Sequence, residues 1–211
     1  MVGFSGYLYG VISQSYRMDK FDKPERILAT ALQLFVEYGF HGTPTSKIAS
    51  EAGVSNGTLF HYFKTKDELV VSLYTSLKSE LNQYLALKIN EKDSIKEKFR
   101  SLFTYSVAWA LENRDAFYFL QQFHFSPHLE LVPAGVIQQQ SELSMNLLQE
   151  AQSAKVLKPL PLELIASLFV QQINGLYQYL TTHTEPVEKQ QKWINDVFEL
   201  SWTLIANSEA Q

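Results

Sequence analysis

The stretch from Thr45 to Lys66, TSKIASEAGVSNGTLFHYFKTK, constrains this chain more than any other part of it. Ile48, Ala49 and Ala52 recur at helical spacing, and Thr45 is placed to cap the helix they define. Gly53 can take φ > 0, which ends that helix and turns the chain sharply. Ser55 then caps a second short helix, and Leu59 and Phe63, four apart, share its inner face and are core residues. Thr65 followed by Glu68 makes a capping box for a third helix opening at Lys66. Two short helices set at a steep angle by such a turn form a helix-turn-helix, which lays its second helix in the DNA major groove.

The same residues resemble the TetR (tetracycline-repressor-like) family of bacterial transcription regulators. The match runs through Thr45, Ile48-Ala49, Ala52-Gly53-Val54-Ser55, Gly57-Thr58-Leu59, Tyr62-Phe63, Lys66 and Glu68-Leu69. Upstream, Ile27-Leu28-Ala29, Ala31, Leu34-Phe35 and Gly39-Phe40 look like the family's first helix. Roughly residues 22–72, a third of the chain, carry the resemblance, and the remainder matches in helical character only.

The resemblance implies a helix-turn-helix DNA-binding domain over residues 19–68, followed by a ligand-binding and dimerisation domain over 69–211. It implies a ligand-responsive repressor that binds a pseudo-palindromic operator in double-stranded DNA as a homodimer and is released by a small molecule. Thr45, Thr58, Tyr62 and Lys66 look like contacts to the DNA backbone. Ser46, Asn56, Gly57 and His61 look like the residues facing base edges, a division that separates register from specificity. Lys47 and Phe60 complete the DNA-facing set. Phe60 stands where the family carries tyrosine, which removes a hydroxyl used on a phosphate.

Charge qualifies how that DNA would be held. The net charge is −4, and residues 19–69 carry six Lys and Arg against seven Asp and Glu. Lys47, Lys64, Lys66 and His61 nonetheless cluster around the turn and second helix. Few phosphate contacts per protomer imply modest non-specific affinity and a shallow salt dependence, so binding should rest on dimerisation and base contacts. The chain has no cysteine, which excludes disulfides and thiolate chemistry and fits a cytoplasmic protein. No apolar run approaches the ~20 residues that span a bilayer, so no membrane partner is expected. Residues 1–18 lie outside the family pattern and are expected to form a disordered extension.

Beyond Lys66 the periodicity predicts helices over Lys66–Ile89, Ile95–Leu111, Asp115–Phe125, Pro133–Val156, Leu162–Thr182 and Val187–Asn207, an all-α fold. The last two helices each carry two apolar stripes. One pair of stripes comprises Leu162, Ile165, Phe169, Ile173, Leu176 and Leu180 with Ile194, Phe198, Trp202 and Ile205. The other comprises Leu164, Leu168, Gly175 and Tyr179 with Trp193, Val197, Leu200 and Leu204. A helix apolar on two sides packs on two sides. Both stripes could be core, but the resemblance implies that the second pair is a dimer interface, with Gly175 allowing close approach, and that is the reading preferred.

The middle helices are rich in aromatics, which more often serve a core than a pocket. Their interleaving with Gln and Asn fits an apolar cleft holding a few polar groups, the make-up of a small-molecule site. Phe103, Trp109, Phe119, Phe123, Gln171 and Asn174 are the candidate lining. Glu112, Arg114 and Glu142 are the few charges placed to reach inward, so the expected effector is neutral and lipophilic or aromatic. His124 and His128 are four apart, but Pro127 between them spoils the helical geometry a metal pair would need. No metal, cofactor or catalytic residue is expected. A helical interaction protein or an enzyme without DNA binding is the alternative.

Overall fold

The computed structural model describes residues 22–207, so the expected N-terminal extension lies outside the described residues. They divide into two compact units, one ending at Leu73 and the other beginning at Tyr74.

In the first unit, α1 spans Lys23–Gly42 behind an Asp22–Glu25 capping box, Glu25 N–H donating to Asp22 Oδ1 at 3.1 Å and Asp22 N–H to Glu25 Oε2 at 3.3 Å. Gly39, at φ 73°, breaks the helical course near its end. Fully buried Thr43 closes the break, its Oγ1 lying 3.0 Å from the Leu34 carbonyl and 2.8 Å from that of Gly39. Next come α2 (Thr45–Glu51) and α3 (Asn56–Tyr62). Ile27, Ala31, Leu34, Phe35, Ile48, Ala49, Leu59 and Phe63 form the unit's core.

The helix α4 runs Lys66–Ala86, and the boundary between the units falls inside it. Lys98 and its neighbours open the body of the second unit, built from α5 (Ile95–Glu112), α6 (Arg114–His124), a 3-10 turn (Pro127–Leu131), α7 (Ala134–Ser153), α8 (Leu162–Thr182) and α9 (Val187–Ile205). Rings from three of these helices interlock edge-to-face and tilted, with Phe99 and Phe103 each 5.6 Å from Phe169, and Phe198 5.9 Å from Phe103. Pro159 and Pro161 interrupt the chain between α7 and α8. There Leu157 and Ala206 form an isolated antiparallel bridge, and Lys158 Nζ donates to the Thr203 and Leu204 carbonyls, capping the end of α9. The fold is all-α, as expected. Among the described residues no helix is long and apolar enough to cross a membrane.

One expected cap is corrected. The N-cap of α2 is Pro44, with no side-chain bond, and Thr45 is the first helical residue. Pro44 takes the extended φ and ψ of a cap residue, so the helix starts at Thr45, one residue earlier than a threonine cap would place it.

Candidate nucleic-acid interface and ligand cavity

Gly53 takes φ 64°, and the turn around it closes with Val54 N–H on the Ala49 carbonyl (2.9 Å) and Gly53 N–H on that of Ser50 (3.1 Å), a Schellman stop. Ser55 Oγ accepts from Thr58 N–H at 3.1 Å and lies 2.9 Å from Thr58 Oγ1, so the cap also orients the threonine hydroxyl. With Leu59 and Phe63 turned into the core, Asn56, Gly57, Phe60, His61 and Tyr62 are left exposed on α3. A methyl built on Gly57 would meet only Ser55 Oγ, at 3.7 Å, so the unit itself does not require glycine there.

The cations around this helix are held differently. Lys64 Nζ donates to the His61 carbonyl at 3.0 Å, placing its charge on the negative end of α3. Lys47 lies 3.7 Å over the Tyr38 ring and 3.9 Å from Glu51, while Ser46 beside it is exposed. Partial burial lowers the Lys66 ammonium below its ordinary pKa, and neighbouring Asp67 opposes that shift. Thr65 Oγ1 accepts from Glu68 N–H at 3.0 Å, but the returning carboxylate bonds to Lys64 N–H at 2.7 Å. The expected capping box therefore reaches one residue further back than its usual form.

In the second unit a cavity of about 360 Å³ opens between the later turns of α4 and helices α5 to α8. It is within the size range of small-molecule sites. Gln171 and Asn174 line it, linked to Gln121 by side-chain hydrogen bonds: Asn174 Nδ2 donates to Gln171 Oε1 at 3.4 Å and Gln121 Nε2 to Asn174 Oδ1 at 3.3 Å. Phe103, Trp109, Phe119 and Phe123 do not line it. All four are buried in the packed interior, and Phe123 stacks at 4.0 Å behind Tyr74, which does face the cavity. The aromatic lining comes instead from Tyr74, Phe99, Phe117, Phe125 and Phe169. Phe125 and Val170, also in the lining, are exposed. Glu112, Arg114 and Glu142 are absent from the lining, whereas Lys78 is present.

Helices α8 and α9 expose the second pair of stripes and bury the first. Ile165, Phe169, Ile173, Leu176 and Leu180 are buried, as are Ile194, Phe198, Trp202 and Ile205. Leu200 is 70% exposed, Leu204 44% and Tyr179 37%, with Leu168, Trp193 and Val197 half-buried and Gly175 open. Within one chain, then, the second stripes are not core.

A family model described as the tetracyclin repressor-like C-terminal domain matches residues 74–207. A second, described as bacterial regulatory proteins of the tetR family, matches residues 27–73. The chain belongs to the tetR family of transcription regulators.

A solved protein from Shewanella sp. PV-4 assigned to the tetR family is 31% identical, with a TM-score of 0.80, and the alignment covers 89% of this chain and 100% of that one. The fatty acid metabolism regulator protein of Bacillus subtilis is 36% identical over 73 residues, 35% of this chain and 38% of that protein. The chain thus spans less than two-fifths of the length of the curated relatives it matches. The Bacillus subtilis regulator FadR, solved in complex with stearoyl-CoA, shares the fold at 23% identity, a TM-score of 0.67, and coverage of 85% of this chain and 97% of that one. For a tetR family chain, the break between the two matched models falls where the structure itself divides, between Leu73 and Tyr74.

Proposed function

We propose that this chain is a cytoplasmic, ligand-responsive DNA-binding repressor. Two heads of a homodimer read the half-sites of a pseudo-palindromic operator, and a small molecule in the second unit's cavity releases them. Helix α4 carries this reading. Its first turns belong to the head, and its later turns line the cavity with Tyr74, Lys78, Leu81, Asn82 and Leu85, one helical stripe. A ligand touching that stripe touches the helix on which the head is mounted. If it binds better to one setting of α4, it shifts the population toward that setting, by no more than its differential affinity.

On α3, Asn56, Gly57 and His61 face base edges along with Ser46 on α2. Thr45, Lys47, Thr58, Tyr62 and Lys66 position the sugar-phosphate backbone, and exposed Phe60 offers its ring to the same surface. The exposed stripes of α8 and α9 supply the dimer interface, since an apolar face of this extent on a soluble helix pair calls for a partner. The stearoyl-CoA complex of the Bacillus subtilis fold relative supports an effector with an apolar chain.

A mobility shift with the full chain and duplex DNA flanking its own gene tests the function. A single discrete complex that resists non-specific competitor DNA is expected. Equal affinity for any duplex, or no complex at low salt, would contradict it.

A further inference from the structure

We propose that the cavity ligand is an amphipathic anion: an apolar body carrying one acidic group that pairs with Lys78. This deepens the reading of the cavity as the effector site and rests on it.

Lys78 stands on the α4 stripe between Tyr74 and Leu81, and it lines the cavity. Its ammonium makes no hydrogen bond or ion pair among the described residues, and no Asp or Glu occurs in the cavity wall. Burial alone lowers it from the ordinary lysine pKa, with no carboxylate near enough to oppose the shift. Lys78 is half-buried; by contrast, buried Lys98 is held by Glu150 at 3.1 Å and Glu91 at 3.6 Å, and its pKa is raised chiefly by the Glu150 bond. An ammonium partly withdrawn from water with no counter-charge is an unfavourable arrangement. The amides nearby do not relieve it, since Gln121, Asn174 and Gln171 bond to one another and Asn82 donates to the Gln140 carbonyl at 2.7 Å. An incoming anion supplies the missing partner, and it gains from the dry surroundings because a charge pair is stronger there than in water.

Beyond Lys78 the same stripe continues as Leu81 and Leu85, and apolar Phe99, Phe169 and Leu148 also line the cavity. The acidic group would therefore lie at the Tyr74–Lys78 end and the apolar body along the leucines. At roughly 30 Å³ per heavy-atom group, the share of a water in the liquid, about 360 Å³ accommodates a ligand of about a dozen heavy atoms. Decanoate has that size, and decanamide is its uncharged isostere.

Calorimetry with the full chain should show decanoate binding at least tenfold more tightly than decanamide. Lys78→Met should bring the two within twofold, and Lys78→Arg should keep the preference for the acid. Equal binding of the two probes by the unaltered chain, binding of neither, or an undiminished preference in Lys78→Met would overturn the proposal. The unaltered chain alone decides the first two outcomes, so a variant that fails to fold does not protect it. A mobility shift on the same preparation separates the two levels. Intact DNA binding without acid preference removes only this inference, whereas acid preference without DNA binding removes the repressor reading and leaves the ligand chemistry.

Discussion

Gly57 is where fold and function are most separable in a single residue. The head has room for a methyl there, and glycine weakens a helix by roughly 0.5–1 kcal/mol relative to alanine. Gly57→Ala should therefore raise the melting temperature slightly while weakening operator binding, because the methyl occupies space the DNA needs. Thermal denaturation and anisotropy on the same sample check both halves. For its neighbours the roles differ in kind. Lys66→Ala should weaken binding equally on all sequences and flatten the salt slope by about one. His61→Ala should change the preferred base at a cost of about 1–3 kcal/mol. Competition among operator variants at two salt concentrations distinguishes them, and a sequence-dependent Lys66 effect with a neutral His61 effect would reverse the assignment. Most of the exposed α3 residues could be read from the sequence, because Leu59 and Phe63 fix which way the helix faces. Lys78 could not. A lysine at the edge of an apolar stripe usually carries its head out to water, and only the helices packed across from it show that this one faces a cavity. For the same reason Phe103, Trp109, Phe119 and Phe123 read as pocket in one dimension and sit behind it in three.

Helix ends show the same limit. Gly53 announces its Schellman stop in the sequence, whereas α7 ends with the same pattern and no glycine. Val156 N–H bonds to the Ala151 carbonyl at 2.9 Å, Lys155 N–H to that of Gln152 at 3.0 Å, and Lys155 takes φ 59°. This stop ends α7 at Ser153, short of the expected Val156. A left-handed conformation costs a non-glycine residue roughly 1–2 kcal/mol, so Lys155→Gly should stabilise the chain by up to about 1 kcal/mol in urea denaturation. No change, or a loss, would show that the lysine makes up the strain through contacts of its own. Between α5 and α9, Glu199 accepts from Lys96 at 2.9 Å and Arg100 at 2.5 Å, and these bonds hold its carboxyl below the ordinary range. Arg100 also stacks 4.4 Å over Phe198. A depressed acidic pKa adds stability above the unfolded-state value and loses it as pH falls through the folded one. Because Glu199 is half exposed, Glu199→Gln should cost no more than about 1 kcal/mol at pH 7, shrinking toward zero below about pH 4. A penalty independent of pH would mean the carboxylate's charge is not what joins the two helices.

For the whole molecule the account rests on two heads acting together. Double stripes on the last two helices were readable from spacing, but spacing could not say which stripe is core. Burial assigns it, and leaves Leu168, Gly175, Tyr179, Val197, Leu200 and Leu204 on the outer face. Nothing in the single chain obstructs a side chain at Gly175, so Gly175→Trp should fold normally yet sediment as a monomer. A dimer that survives this change would place the interface elsewhere. A monomer would read one half-site with few phosphate contacts, whereas a dimer doubles them and sets a fixed separation of about 34–36 Å between recognition helices. Selection of duplexes from a random pool by the full chain tests this most directly. The account predicts enrichment of an inverted repeat whose half-site centres lie about 10–10.5 base pairs, or a multiple of that, apart. Enrichment of an isolated half-site, of direct repeats, or of nothing above the starting pool would contradict it.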